Sequence, residues 1–399
     1  MQIILLNWKN GENDPFSLFN GMLKSKFESY GRSVKIVELN SDFDKNIAKT
    51  INEGIDFALT WQGIASGLIN RRSEKNLWNE YKIPLFCLHG DHPCHKISNH
   101  TATSEYIRHI YLAPSFCRYA NKFIERTIAA QFMMLPNIFH TKHPSTTSIH
   151  GDYFVFPKNL DDTKLMVANW EKKFPAHIAT TFKNIASAIK SEYKESNSLD
   201  HHEIIDIQLT EEFISNLQDH LKINSDMSAR HYAHAYMDKF YRNLISEDIL
   251  ATLSDVKIQI YGRGWDRFKN NNNKNHSFFS FDKAFNGDFQ FQSNFGILDV
   301  APINDSIHDR SFRAMASNNG FLIASSWNAS EFLNQNFENL FFTGKDMMVR
   351  ALAELVIQSP ESHRASAQQF KSQYHTKYGF HQFLKNIENV AATLNAKKY

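Results

Sequence analysis

The chain has 399 residues, 42% hydrophobic and 22% charged, with 44 Lys and Arg against 42 Asp and Glu, a formal charge of +2. That is the profile of a soluble globular protein of two to three domains, and the near-neutral balance argues against a nucleic-acid partner. The three cysteines (Cys87, Cys94, Cys117) are odd in number and form no C-x-x-C pair, so they fit a reducing cytoplasm rather than a disulfide framework.

No apolar run approaches the ~18 residues of a spanning helix, although peripheral membrane contact stays open. The opening MQIILLNWKNG lacks a basic stretch ahead of its short apolar run, so no signal peptide is expected. The phenylalanines are scattered rather than striped, which points to core packing.

Over residues 1–150 strand and helix patterns alternate. Ile3–Asn7 reads as a short buried strand ending in a polar loop, Trp8–Pro15. A helix is predicted over Phe16–Tyr30, stopping at Gly31. Val34–Leu39 has the pattern of a parallel strand, and a helix follows near Asp44–Glu53. Phe57–Trp61, Leu85–His89 and Ile110–Pro114 read as further buried strands. Repeated β–α order implies a doubly wound parallel sheet.

A second domain of the same class begins at Tyr153–Pro157 and spans 151–385. It is interrupted by a helical insertion at about 161–253. Strands resume at Val256–Tyr261, Gly296–Pro302, Gly320–Ser325 and Leu340–Phe342. The stretch from Met347 to Leu394 reads as helix, broken near Ser359–Pro360 and Tyr378–Gly379, with 386–399 as a helical tail. Asn270–Asn275 is a surface loop by composition. Two such domains suggest a ligand cleft between them, with acceptor groups on the first and a nucleotide on the second.

Residues 296–324 carry the most chemistry. A strand enters a polar loop (Ile303–Asp309), a short helix follows (Arg310–Ala316), and Gly320 opens another strand. That order brings backbone N–H groups, a positive helix end, His308 and Arg310 to the carboxyl end of a sheet, where phosphorylated ligands bind. Arg310 offers a bidentate fork to phosphate oxygens and His308 a further donor. Asn304 and Ser306 serve the loop as caps or ligand contacts, and Ala301–Ile303 would flank a base. The bland alternative is an ordinary β–α–β unit, with Arg310 in a surface ion pair and Asp309 as N-cap.

Gly262-Arg263-Gly264-Trp265 follows a strand directly. Its glycines either let backbone approach a ligand or make a tight turn. Arg263 would be a second phosphate or sugar contact, and Lys158 is a fainter candidate. In the first domain, Gly90–His95 is dense in reactive side chains, and three readings compete. Asp91, His92, Cys94 and His95 have metal-ligand chemistry; Asp91 or His92 has the chemistry of a general base; Asp91 and His95 suit a turn stiffened by Pro93. Asp14 is the rival base. His231 and His234 share a helical face and read as a solvated pair, while His201-His202-Glu203 reads as a loop or helix start. Asp42-Phe43-Asp44 is a D-x-D triplet in the first domain.

Four stretches resemble a known family. IQIYGRGW (Ile258–Trp265) is similar to its strand ending in G-x-G-W. HDRSFRAMASNNGFLIAS (His308–Ser325) resembles its R-x-F-E-A-M-A-x-G-x-x-L-I segment, and EFLNQNFENLFFTGKD (Glu331–Asp346) its following helix–strand–helix. IPLFCLHGDHPCH (Ile83–His95) is similar to a D-H-P-x-x-H element of the amino-terminal half, with the last His one residue early. Together they resemble the GT-B glycosyltransferases, specifically the bacterial group with CgeB-like (spore-maturation) domains.

The resemblance implies an α/β chain of two Rossmann-like domains facing a central cleft. The implied activity is a cytoplasmic, metal-independent glycosyltransferase of polysaccharide biosynthesis. It would move a sugar from a nucleotide-activated donor to a hydroxyl of a glycan, lipid-linked saccharide or protein. No cofactor and no metal ligand are implied, because the nucleotide-sugar is a substrate. The donor side would comprise Gly262, Arg263 and Gly264, then Ala301, Ile303, Asn304 and Ser306, then His308, Asp309 and Arg310. The acceptor base would be Asp91, His92 or Asp14. Two positions depart from the family: Arg313 replaces the Glu expected to hold the donor ribose, and Ser317-Asn318-Asn319 displaces the closing Gly to Gly320. Glu331 is the candidate to replace the missing Glu. A nucleotide-sugar epimerase or hydrolase on the same fold, or a non-catalytic binding protein, are the alternatives.

Overall fold

The computed structural model describes the chain except residues 9–14, 41–46, 48, 52, 71, 139–153, 196–200, 224, 270–272, 281–295, 301–304, 308, 317–319, 325–336, 338–339, 343, 358 and 397–399. The chain divides into two compact units, Met1–His140 with Tyr374–Tyr399, and Thr141–Gln373.

The first unit alternates strand and helix as expected. Its strands are β1 (Gln2–Asn7), β2 (Ser33–Glu38), β3 (Phe57–Trp61), β4 (Leu85–His89), β5 (Ile107–Tyr111) and β6 (Gln131–Phe132), with α1 (Pro15–Ser29) and α2 (Pro114–Phe123) among the connections. The sheet order is β2-β1-β3-β4-β5-β6, every pair parallel. Every residue of β3 and β4 is buried, as central parallel strands covered on both faces require. Two strands differ from expectation: the two-residue β6 was not foreseen, and Ile110–Pro114 is displaced to Ile107–Tyr111, with Pro114 opening α2. Proline has no N–H to give a ladder, and at the first helical position none is missed.

The second unit opens with β7 (Phe154–Pro157). The helical insertion follows as α3 (Thr163–Lys173), α4 (Ala176–Lys194), α5 (His201–Gln208), α6 (Glu211–Leu221) and α7 (Asp226–Thr252). Side chains start three of these helices: Asp162 caps α3, Thr210 α6 and Ser225 α7. Trp170, Phe182, Phe213 and Phe240 anchor the insertion's own apolar core. The sheet continues with β8 (Ile258–Tyr261), β9 (His276–Phe279), β10 (Gly296–Asp299), α8 (Asp309–Ala316), β11 (Gly320–Ala324) and β12 (Phe341–Phe342). Its order is β12-β11-β10-β7-β8-β9, again wholly parallel. Counted from β7 this is 6-5-4-1-2-3, the Rossmann order.

Three helices close the chain: α9 (Lys345–Ile357), α10 (Pro360–Lys377) and α11 (Phe380–Ala396). Their breaks match the expected ones. Their membership does not, since the structure assigns residues from Tyr374 onward to the first unit, where the sequence suggested a second domain to 385 and a separate tail. The contacts explain why. Phe380 packs edge-on against Phe27 at 5.1 Å, Glu388 pairs with Arg32, and Tyr374 Oη donates to the Leu135 carbonyl at 2.6 Å. Phe380 is 1% exposed. Phe380→Ala should therefore destabilise the first unit by about 3–5 kcal/mol in urea titration, and an effect below 1 kcal/mol would show that α11 contributes little to its core.

Candidate functional site

In the Rossmann order of the second sheet, chain direction of travel reverses between β7 and β10. Connections from these two neighbours leave in opposite directions, so a crevice opens beyond their carboxyl ends. Lys158 follows β7, and Asp299 ends β10. Helix α8 packs on β10 and β11, with its first turn on the side where β10 ends. From that turn Arg310 reaches back, and its Nη1 meets Asp299 Oδ1 at 2.6 Å. The Asp299 carboxylate is fully buried and the guanidinium is 29% exposed. A buried carboxylate thus fixes one arm of the fork at the sheet edge.

Lys158 sits among charges of both signs. Its ammonium is densely surrounded by protein, and its pKa is lowered to about 7. Loss of hydration is the first cause, followed by Arg242 and Arg310, with Asp238 and Asp299 opposing. Arg242, on α7, binds Asp238 Oδ2 through Nη2 at 2.7 Å. The helical insertion thereby adds a cation and a carboxylate to the sheet edge.

The Gly262–Trp265 turn lies beside this point. A Cβ on Gly262 would fall 2.1 Å from the Lys158 carbonyl oxygen, and one on Gly264 (φ +86°) 1.7 Å from that of Leu160. The glycines thus let the turn lie against the chain leaving β7, so backbone, not ligand, occupies the space of their missing side chains. Trp265 Nε1 donates to the Lys158 carbonyl at 2.7 Å, and the Arg263 N–H donates to Asn159 Oδ1 at 2.9 Å. The Arg263 side chain is exposed.

Of the remaining donor-side candidates, Ser306 is buried in the loop after β10. Asp309 is the first residue of α8, with its side chain outside the described set. Ala301, Ile303, Asn304, His308 and Glu331 lie outside the described residues, as do Asp14 and the Asp42–Asp44 triplet.

In the first unit, the candidate bases part company. Asp91 is exposed and accepts from Gln62 Nε2 at 2.9 Å. His92 is buried against Phe116 and Tyr119, and its Nδ1 accepts from the Cys94 N–H at 3.1 Å. The His95 N–H donates to the His92 carbonyl at 3.0 Å, closing a tight turn around Pro93. Behind it lies a buried cluster that the sequence did not reveal. His109 Nε2 donates to the Ala102 carbonyl at 2.9 Å, so its Nδ1 accepts from His89 Nε2, also at 2.9 Å. Burial, aided by His100, His109 and Arg126, holds His89 well below the usual histidine range.

Of the helical histidines, His231 and His234 differ from expectation, being buried rather than solvated. His201 and His202 open α5, as the helix-start reading had it, and are buried. The apolar residues spaced around them in α5 and α7 were the available signal.

Residues 242–389 match the family described as "Glycosyl transferase-like". No curated protein matches the chain. Among solved structures, HepE of Anabaena in complex with UDP is similar, with a TM-score of 0.46 and 9% identity over 98% of this chain and 100% of that one. An alpha-glucosyltransferase in complex with UDP and a 13-mer DNA gives a TM-score of 0.48 and 9% identity over 96% and 98%. At such values the fold assignment rests on this chain's own strand order: two wholly parallel α/β units, the second in the Rossmann order and holding most of the glycosyl transferase-like region, whose end from Tyr374 belongs to the first. Among the described residues no helix is long and apolar enough to cross a membrane.

The lowered pKa of Lys158 has a signature in stability. Between about pH 7 and 10.5 the unfolded chain keeps a proton on Lys158 that the folded chain has lost, so stability should rise with pH across that window. In Lys158→Met the rise should vanish when chemical denaturation is followed from pH 7 to 10. An unchanged slope would mean that Lys158 titrates as an ordinary surface lysine.

Proposed function

We propose that the chain is a glycosyltransferase of the CgeB-like group, moving a sugar from a nucleotide-activated donor to a hydroxyl acceptor in the cytoplasm. The observation that supports this most is the charge cluster at the β7/β10 switch point, within a unit that largely overlaps the glycosyl transferase-like match. When Lys158 is protonated, Lys158, Arg242 and Arg310 outweigh Asp238 and Asp299 by one positive charge. A leaving nucleoside diphosphate develops negative charge in the transition state, and cations already fixed in a water-poor site stabilise it without reorganising. Arg310, braced by Asp299, presents a planar fork suited to phosphate oxygens. Lys158 supplies a point charge, and the first turn of α8 adds its N–H groups and partial positive charge.

Arg263 is assigned to the outer phosphate or the sugar. Asp91 is the exposed carboxylate of the first-unit candidates and is assigned the acceptor hydroxyl. His92, held inside by the turn, is assigned the positioning of that element. Charge compensation by side chains makes the transfer independent of added Mg²⁺ or Mn²⁺. The acceptor class stays broad: a glycan, a lipid-linked saccharide or a protein.

A panel of nucleoside diphosphates and nucleotide-sugars, read by thermal shift and by nucleoside diphosphate release, tests this reading. One donor should stabilise the protein and be hydrolysed slowly, and an acceptor should speed that release. Interconversion of nucleotide-sugars without acceptor would indicate an epimerase, and stabilisation without turnover a binding protein. Arg310→Ala and Lys158→Ala should each weaken nucleoside diphosphate binding by at least about tenfold, the size of one charge-assisted hydrogen bond; unchanged affinity in both would remove the switch point from the donor site. Calorimetry supplies a second check. A diphosphate beside Lys158 raises its pKa, so binding near pH 8 should take up a proton, and the observed heat should vary with the buffer's ionisation enthalpy. Equal heats in all buffers would contradict that placement.

A further inference from the structure

Within the helical insertion, ionisable side chains are buried well beyond what its apolar core needs. His201 and His202 open α5, and Asp238 stands midway along α7, all three side chains at most 4% exposed. One potential ligand atom from each lies within 4.8 Å of the other two. His201 Nε2 is 2.9 Å and His202 Nε2 3.8 Å from the same atom, Asp238 Oδ1. Ligands about 2.0–2.1 Å from a tetrahedral zinc ion stand about 3.3–3.4 Å apart, a spacing that these two separations straddle.

The surroundings match what such a site requires. Arg242 holds the outer oxygen, Asp238 Oδ2, and leaves Oδ1 directed at the two imidazoles. His202 Nδ1 meets His234 Nδ1 at 3.2 Å, and His234 Nε2 faces Asp206 Oδ1 at 3.8 Å, a carboxylate paired with Arg230 at 2.8 Å. His202 thus meets another imidazole through Nδ1, while its Nε2 lies with His201 Nε2 on the side of Asp238 Oδ1. A histidine met by an outer partner at one ring nitrogen and facing the ligand cluster with the other has the arrangement of a metal-binding imidazole.

We propose that His201, His202 and Asp238 form a binding site for a divalent cation of the zinc class, completed by water. Its ligand set of two imidazoles and a carboxylate suits zinc rather than magnesium or calcium. The ion clamps α5 to α7 and fixes the carboxylate that neighbours Lys158. It stands outside the transfer chemistry and does not depend on the proposed donor.

The test uses the full chain, stripped with a chelator and titrated with Zn²⁺ or Co²⁺. One equivalent should bind per chain, raise the thermal midpoint, and give the intense visible absorption of four-coordinate Co²⁺. Asp238→Asn and His202→Gln should each weaken binding at least about tenfold, while His177→Gln, on an exposed face of α4, leaves it unchanged. X-ray absorption at the zinc edge of the unsubstituted protein should show two imidazoles and needs no variant to fold. The absence of saturable Co²⁺ binding at one equivalent, binding that survives both ligand substitutions, or a zinc spectrum without imidazole scattering would overturn the site.

Discussion

The reversal of strand order between β7 and β10 is the constraint on which the rest of the second unit depends. Parallel strands carry their loops at one edge of the sheet, and only at a reversal do the loops part enough to admit a ligand. Four described charged side chains gather around that opening. Lys158 leaves one strand, Asp299 ends the other, Arg310 returns from the following helix, and Arg242 enters from the insertion. The Gly262–Trp265 turn closes the flank, because two glycines allow it to lie directly on the backbone of Lys158 and Leu160.

Burial makes this cluster effective and also costly. An ammonium largely enclosed by protein and set near two guanidinium groups costs the folded protein stability, and the lowered pKa of Lys158 expresses that cost. Such an arrangement is retained where an anion arrives to offset it. In water the same charges would be screened and would have to reorient. Paired with Asp299 and Asp238, Arg310 and Arg242 are oriented in advance, as the proposed donor site requires. The helical insertion then has a direct electrostatic role, since Arg242 and Asp238 both belong to α7.

Much of this was legible in the sequence. Parallel strands buried on both faces leave short apolar runs, so Phe57–Trp61 and Leu85–His89 could be read to the residue. The breaks near Pro360 and Gly379 were legible because those residues interrupt helices locally. What escaped depends on contacts distant in sequence. Nothing local in Phe380 or Glu388 reveals that they pack on Phe27 and Arg32. The burial of His201, His202, His231 and His234 follows from helix–helix packing, and a histidine at an apolar position looks the same as one at the surface. At the site, Arg310 stood out by its place after a strand and loop. Lys158 looked fainter because its importance comes from neighbours far away in sequence, Asp238 and Arg242 on α7 and Arg310 on α8. The β9 strand, HSFF, was missed beside an Asn-rich stretch that reads as loop.

The proposed function depends on where a nucleoside diphosphate rests. A crystal structure of the chain with the nucleoside diphosphate that stabilises it most measures this directly. Phosphate oxygens should lie within hydrogen-bond reach of Lys158 Nζ and of the Arg310 guanidinium, beyond the ends of β7 and β10. A diphosphate bound elsewhere, with that edge of the sheet closed by protein side chains, would contradict it.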